Sequence, residues 1–330
     1  MSHYISKTEL ENFSLFSLGS KKFGYGHYNR LKNLILILEK KKRNFFHYSF
    51  GKNYNNKTKF LKKIDTEISL GRKIILDFTN NIFLDKTTIL KLRKIIIKKK
   101  DAKIYIIDSP TKKNLSTILN INFTKTLIPF EVTDDVKKKL LKIKRKKIGI
   151  KYFIYPHTNL KKKKKIYDIT LSFGGSDNYE GTLYVLKLLE YLKVKNNVLI
   201  INGKYFNNNY KKKIRSLCNN NKFKLISFSE NLNNILNMSK FLITNSGLTK
   251  YEGVLHGLKV MVFSDTNESQ KIDQSFILKT KQFHFSHSKN FQKDQLKLKY
   301  LLKKKFNFNK LDKNILMSNN KKIKNFFLND

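Results

Sequence analysis

Short apolar runs rich in branched residues alternate with longer helix-compatible stretches along almost the whole chain, and this alternation constrains the fold more than any other feature. A strand that returns to its own sheet through a helix runs parallel to its neighbour, so the pattern predicts an α/β fold built on parallel sheets. In the first half strands are predicted at Phe13 to Leu18, Phe45 to Ser49, Lys73 to Asp77, Lys103 to Asp108 and Lys125 to Ile128. Helices are expected from about His27 to Lys41, across Lys57 to Leu70 and through Lys86 to Lys99. The second half repeats the scheme, with strands at Asp168 to Phe173, Asn197 to Ile201, Lys224 to Phe228, Lys240 to Thr244, Lys259 to Phe263 and Gln282 to Phe285.

At 330 residues the chain exceeds one ordinary core and suits two domains of roughly 150 residues each. The polar stretch after Pro156, ending in five lysines at Lys161 to Lys165, marks the boundary. The expected division is 1–157, 158–289 and a helical tail over 290–330 that packs back on one domain or the other.

Three junctions between strand and helix carry small-residue turns: Gly24-Tyr25-Gly26-His27, Gly174-Gly175-Ser176-Asp177 and Ser246-Gly247-Leu248-Thr249. Glycine lets backbone approach a ligand, and a helix start offers unpaired N–H groups and a positive dipole end to an anion. On parallel sheets ligands bind at the carboxyl ends of strands, where all three turns are expected. Each turn also has a plainer reading. Gly174 and Gly175 suit a tight connector with Ser176 or Asp177 capping the next helix. Glu252 either accepts hydrogen bonds from ribose hydroxyls beside a helix start or closes a capping box with Thr249. His27 stands where the positive dipole end disfavours an imidazolium, so it either accepts a proton from water or merely caps and packs. Arg30, one turn later, meets phosphate or forms a routine ion pair.

The formal charge of +45 would ordinarily point to nucleic acid or an anionic surface. Lysine, asparagine, isoleucine, phenylalanine and tyrosine are all abundant, however, while tryptophan is absent. A skew across every residue class reflects coding composition rather than one binding face. Arginine forks and aromatic stacking platforms interleaved with basic residues are not evident, so no specific nucleic-acid partner is expected. The longest apolar runs, such as Leu34 to Leu38, fall far short of a bilayer span. No export segment is recognisable, and the single cysteine, Cys218, cannot form an internal disulfide; a cytoplasmic protein is expected, with peripheral membrane contact through lysines as one option. The seven histidines are scattered without metal-ligand spacing, so neither a metal nor another cofactor is expected.

Taken together, Gly-Tyr-Gly-His-x-x-Arg, Ser-Phe-Gly-Gly-Ser-Asp and Asn-Ser-Gly-Leu-Thr-x-Tyr-Glu resemble the UDP-2,4-diacetamido-2,4,6-trideoxy-β-L-altropyranose hydrolase family of pseudaminic acid biosynthesis, from about Phe13 to Phe285. That family is related in fold to the GT-B glycosyltransferases that make lipid II. The resemblance implies two Rossmann-like domains around a nucleotide-sugar cleft. It implies that His27 helps water attack the anomeric carbon, releasing UDP and free sugar; Gly24, Gly26 and Arg30, in and just after the turn that carries it, are expected to bind the substrate. It also implies that Gly174, Gly175, Ser176 and Asp177, with Ser246, Gly247, Leu248, Thr249 and Glu252, hold the UDP part. A late amide signature appears here as Asn267-Glu268-Ser269-Gln270, with Gln270 as the candidate sugar contact and Gln274 as the alternative. The chain departs from the family at Phe16-Ser17-Leu18-Gly19, where an arginine and an aspartate are usual, and Asp77 and Asp108 are further candidates to line the cleft. Two other classes remain open: a GT-B glycosyltransferase passing the sugar to an acceptor, and a noncatalytic binder of anions or nucleic acid.

Overall fold

The computed structural model describes residues 11–18, 26–39, 43–50, 57–77, 85–107, 121, 123–155, 163–229, 231–264, 266–285, 290–303 and 320–329. Gly24, Asp108 and His157 lie outside the described residues.

The first half forms one parallel sheet from β1 (Glu11–Leu18), β2 (Arg43–Phe50), β3 (Lys73–Asp77), β4 (Ile104–Ile107), β5 (Lys125–Ile128) and β6 (Lys146–Ile148). Its spatial order is β2-β1-β3-β4-β5-β6. Helices α1 (Gly26–Leu38), α2 (Lys57–Ser69), α3 (Lys86–Lys98) and α4 (Asp134–Leu140) connect the strands. The central strands are buried on both faces, which is why β3 and β4 read as unbroken apolar runs. Phe13, Leu15 and Ile75 face α1, whereas Phe16, Ile74 and Leu76 face α2. Asp85 starts α3 by accepting a hydrogen bond from the Thr88 N–H at 2.7 Å.

A second parallel sheet follows: β7 (Tyr167–Ser172), α5 (Gly181–Tyr191), β8 (Val198–Ile201), α6 (Asn208–Asn220), β9 (Lys224–Ile226), α7 (Leu232–Asn237), β10 (Ser239–Asn245), α8 (Thr249–Leu255), β11 (Lys259–Phe263), α9 (Asn267–Thr280) and β12 (Phe283–Phe285). Its order is β12-β11-β10-β7-β8-β9. In both sheets the winding direction reverses beside the first strand, between β1 and β3 in one and between β7 and β10 in the other. Crossover helices diverge to opposite faces at such a point and leave a crevice at the strand carboxyl ends.

The last two helices divide between the sheets. Helix α10 (Phe291–Lys303) buries Leu298 and Leu301 in the second core. Helix α11 (Asn320–Leu328) returns to the first core with Ile323, Phe326 and Phe327, and Phe327 meets Tyr105 edge-on at 5.5 Å. The Lys125 ammonium ties it down by donating to the Phe326 carbonyl at 2.9 Å and to the Asn329 carbonyl. Between the sheets runs an aromatic seam, in which Tyr251 of α8 packs on Phe153 at 4.9 Å, Phe276 at 5.0 Å and Phe130 at 6.0 Å.

Candidate active site

The carboxyl edge of the first sheet places a buried acid beside a histidine. Asp77 ends β3 and is fully buried, while His27 opens α1, which follows the neighbouring strand β1. His27 Nδ1 lies 2.7 Å from Asp77 Oδ1. Arg30, one turn along α1, donates through Nε to Asp77 Oδ2 at 2.7 Å and through Nη2 to Oδ1, with its guanidinium over the Phe130 ring. Arg30 Nη2 also lies 3.1 Å from His27 Nδ1, but one nitrogen cannot accept there and donate to Asp77 at once. The shorter contact to a buried anion decides the tautomer: Nδ1 carries the proton and Nε2 the lone pair. Burial alone would raise the Asp77 carboxyl, yet Arg30 and His27 hold it below its ordinary value. The carboxylate therefore stays charged, orients the ring and can stabilise an imidazolium.

At the second switch point the two turns are built differently. After β7, Gly174 takes a positive φ of 75°, and its carbonyl packs so closely on Gly203 that a Cβ there would come within 2.5 Å. Asp177 caps α5 by accepting from the N–H groups of Gly181 at 2.9 Å and Thr182 at 2.7 Å, and from the Tyr210 hydroxyl at 2.6 Å. Of the two capping candidates the structure selects Asp177 over Ser176, and the α5 start is occupied by that carboxylate. After β10, by contrast, no side chain caps α8. Glu252 thus makes no capping box with Thr249. It is half-buried in the first turn of α8, its carboxylate has no hydrogen bond or ion pair with any described residue, and burial pushes it up to about 7.

A buried polar cluster holds the β10–α8 turn. Asp273 of α9 accepts from the Ser246 hydroxyl, from the Ser264 hydroxyl at 2.7 Å and from the Lys250 ammonium. Lys250 is 1% exposed and Asp273 fully buried; the ammonium also lies over the rings of Tyr251 and Phe276. Gln270 is three residues before Asp273 and therefore on the same side of α9. Gly247 N–H donates to Asn245 Oδ1 at 3.2 Å, closing the turn.

The two edges face each other. A Cβ at Gly26 would sit 3.6 Å from Leu248 Cδ1, so the starts of α1 and α8 meet across the crevice. His27, Arg30, Gly26, Leu248, Thr249 and Glu252 are thereby brought to one region by turns more than 200 residues apart in sequence. His256, one of the scattered histidines, is buried against the Tyr155 hydroxyl at 2.9 Å. Sequence reasoning placed Asp77 only as a candidate to line the cleft, without pairing it to His27, and assigned nothing to Lys250 or Asp273. The signal for Asp77 was a lone carboxylate ending an apolar strand; Lys250 and Asp273 resemble ordinary surface charges. Among the described residues no group of three or more His, Cys, Asp or Glu side chains could hold a metal ion, and no helix is long and apolar enough to cross a membrane.

No protein-family model and no curated protein sequence matches the chain. Solved structures do. The Anabaena protein HepE, in complex with UDP-glucose, shares 10% identity at a TM-score of 0.61, over 95% of this chain and 94% of that one. A putative UDP-N-acetylglucosamine 2-epimerase from Listeria monocytogenes shares 14% identity at 0.58, over 97% and 94%. The UDP-GlcNAc 2-epimerase of Methanocaldococcus jannaschii, in complex with UDP-GlcNAc and UDP, shares 13% at 0.58, over 92% and 97%. With two facing parallel sheets and coverage of both halves, the chain has the GT-B fold.

Proposed function

We propose that the protein hydrolyses a UDP-linked deoxy diacetamido sugar by attack of water at the anomeric carbon, as in pseudaminic acid-type nonulosonate biosynthesis. The observation that carries this reading is the His27–Asp77 pair at 2.7 Å on a helix whose start meets that of α8. His27 Nε2 takes a proton from water as its oxygen bonds to the anomeric carbon. The bond from that carbon to the diphosphate oxygen breaks, and UDP leaves with the electron pair. Asp77 stabilises the imidazolium until the proton returns to solvent. The uncapped α8 turn offers the backbone N–H groups of Leu248 and Thr249 to the diphosphate as charge grows on it, while Ser246 and Gly247 shape the turn. Glu252 accepts from the ribose, Gly174, Gly175 and Ser176 shape the nucleotide side, and Gln270 meets the sugar. Fold neighbours solved with UDP, UDP-glucose and UDP-GlcNAc support a UDP-sugar as ligand.

In this reading residues 1–157 supply the reacting groups and 158–289 the nucleotide site. Incubation with a synthetic UDP-diacetamido sugar and no acceptor tests it. Release of UDP and free sugar is expected, and His27→Leu should abolish release while leaving UDP affinity nearly intact. Release that requires an added acceptor would assign a glycosyltransferase instead, and an equally active His27→Leu variant would remove the histidine from the reaction.

A further inference from the structure

Beside the His27–Asp77 pair lies a second imidazole. Strands β2, β1 and β3 are neighbours, and their register aligns Leu15 with His47, and Ser17 with Ser49 and Asp77. Alternation along a strand then puts His47, Ser17 and Asp77 on one face, the face that α1 covers. His47 Nε2 is 2.9 Å from the hydroxyl of fully buried Ser17, and its ring stacks on Tyr28, the residue after His27, at 4.9 Å and 21°. His47 thus shares a face with the His27–Asp77 pair, separated by Ser17 of β1 from a carboxylate that Arg30 already neutralises and whose charge acts on it.

We propose that His47 is a positioning residue of the same proton-transfer centre: a second imidazole, held by Ser17 and Tyr28, whose charge state governs whether His27 can accept a proton. The proposal rests on the hydrolase reading for its catalytic consequence, though not for its electrostatics. Asp77 and Arg30 together are neutral, so a proton on His27 makes the centre cationic. A further proton on His47 would add a like charge in poorly hydrated surroundings, so the two protonations oppose each other. Among the described residues, the charged and titratable groups on this face are Tyr28, stacked on His47, Asp77, whose charge acts on it, and His27 and Arg30, both bonded to Asp77. Glu67 and Lys63 lie beneath the opposite face, with Glu67 bonded to Ser14 and Tyr48. Burial holds His47 below the ordinary histidine value against the pull of Asp77, consistent with an imidazole that is neutral when His27 works.

Two measurements test this. In the first, the ring nitrogens of His47 are followed by NMR through a pH titration of the wild-type chain and of His27→Gln, which needs no turnover. Coupling predicts that the His47 midpoint rises in His27→Gln by at least about half a unit; an unchanged midpoint overturns the proposal. In the second, UDP release is measured against pH. The acid limb of log(kcat/KM) should approach a slope of two in the wild type and one in His47→Gln, whose amide can still bond Ser17. A wild-type slope of one, or a His47→Gln limb of unchanged shape, overturns the proposal while leaving the hydrolase reading standing. Should the wild type release nothing, the hydrolase reading fails and the NMR titration still decides this one.

Discussion

Replacing Glu252 by Gln should make the protein more stable at pH 8 and at the same time a poorer binder of UDP. Burial raises the Glu252 carboxyl from 4.5 to about 7, and that displacement corresponds to about 3 kcal/mol of folding free energy. The folded state holds the proton more tightly than the unfolded one between those values. Stability therefore declines as pH climbs through that window, and the cost is complete above it. Since the side chain is half-buried and partly screened, Glu252→Gln should recover about 1–3 kcal/mol at pH 8 and almost nothing at pH 4. Urea unfolding followed by circular dichroism at both pH values reads this directly. UDP titration by calorimetry reads the other half, where loss of a charge-assisted hydrogen bond to ribose should weaken binding by about 1–3 kcal/mol. A variant no more stable at pH 8 than the wild type would refute the burial argument, and an unchanged UDP titration would take the carboxylate out of the nucleotide site. A carboxylate kept at a cost to stability, with no described partner, fits a group reserved for a ligand.

Asp77→Asn should lower turnover by about 10²–10⁴, because an amide no longer fixes the His27 tautomer or stabilises the imidazolium, with UDP affinity little changed; steady-state kinetics beside a UDP titration checks it. Asp273→Ala should destabilise the fold by about 3–5 kcal/mol by leaving the Lys250 ammonium buried without its anion. Adding Lys250→Met should recover most of that loss, since an apolar pair in the same space no longer carries a buried charge. Denaturant midpoints of the single and double variants give the comparison, and a double variant as weak as Asp273→Ala would contradict it.

Much of the sheet framework was legible because parallel strands buried on both faces must be continuous apolar runs. Residues 73–77, 125–128 and 259–263 were found with their observed ends for that reason. Strand β6, Lys-Lys-Ile, and helix α4 were missed: each is short, and lysine dominates both in a chain where lysine is everywhere. The turns were visible because glycine at a strand end has few other uses, and Gly174 does take a positive φ. The partners of those turns were not visible, because they come from distant sequence. Asp77 reaches His27 across 50 residues, and Asp273 reaches Ser246 across 27. Lys250 shows the limit most sharply, since nothing in a lysine-rich sequence distinguishes a buried ammonium beneath the β10–α8 turn from those on the surface.

The claim on which the account turns is that water, activated by His27, attacks carbon rather than phosphorus. Hydrolysis of the UDP-diacetamido sugar in ¹⁸O-enriched water, with mass spectrometry of the released nucleotide, tests it most directly. The account predicts UDP free of label, with the new oxygen on the sugar. Label on the β-phosphate of UDP, or no UDP without an acceptor, would contradict it.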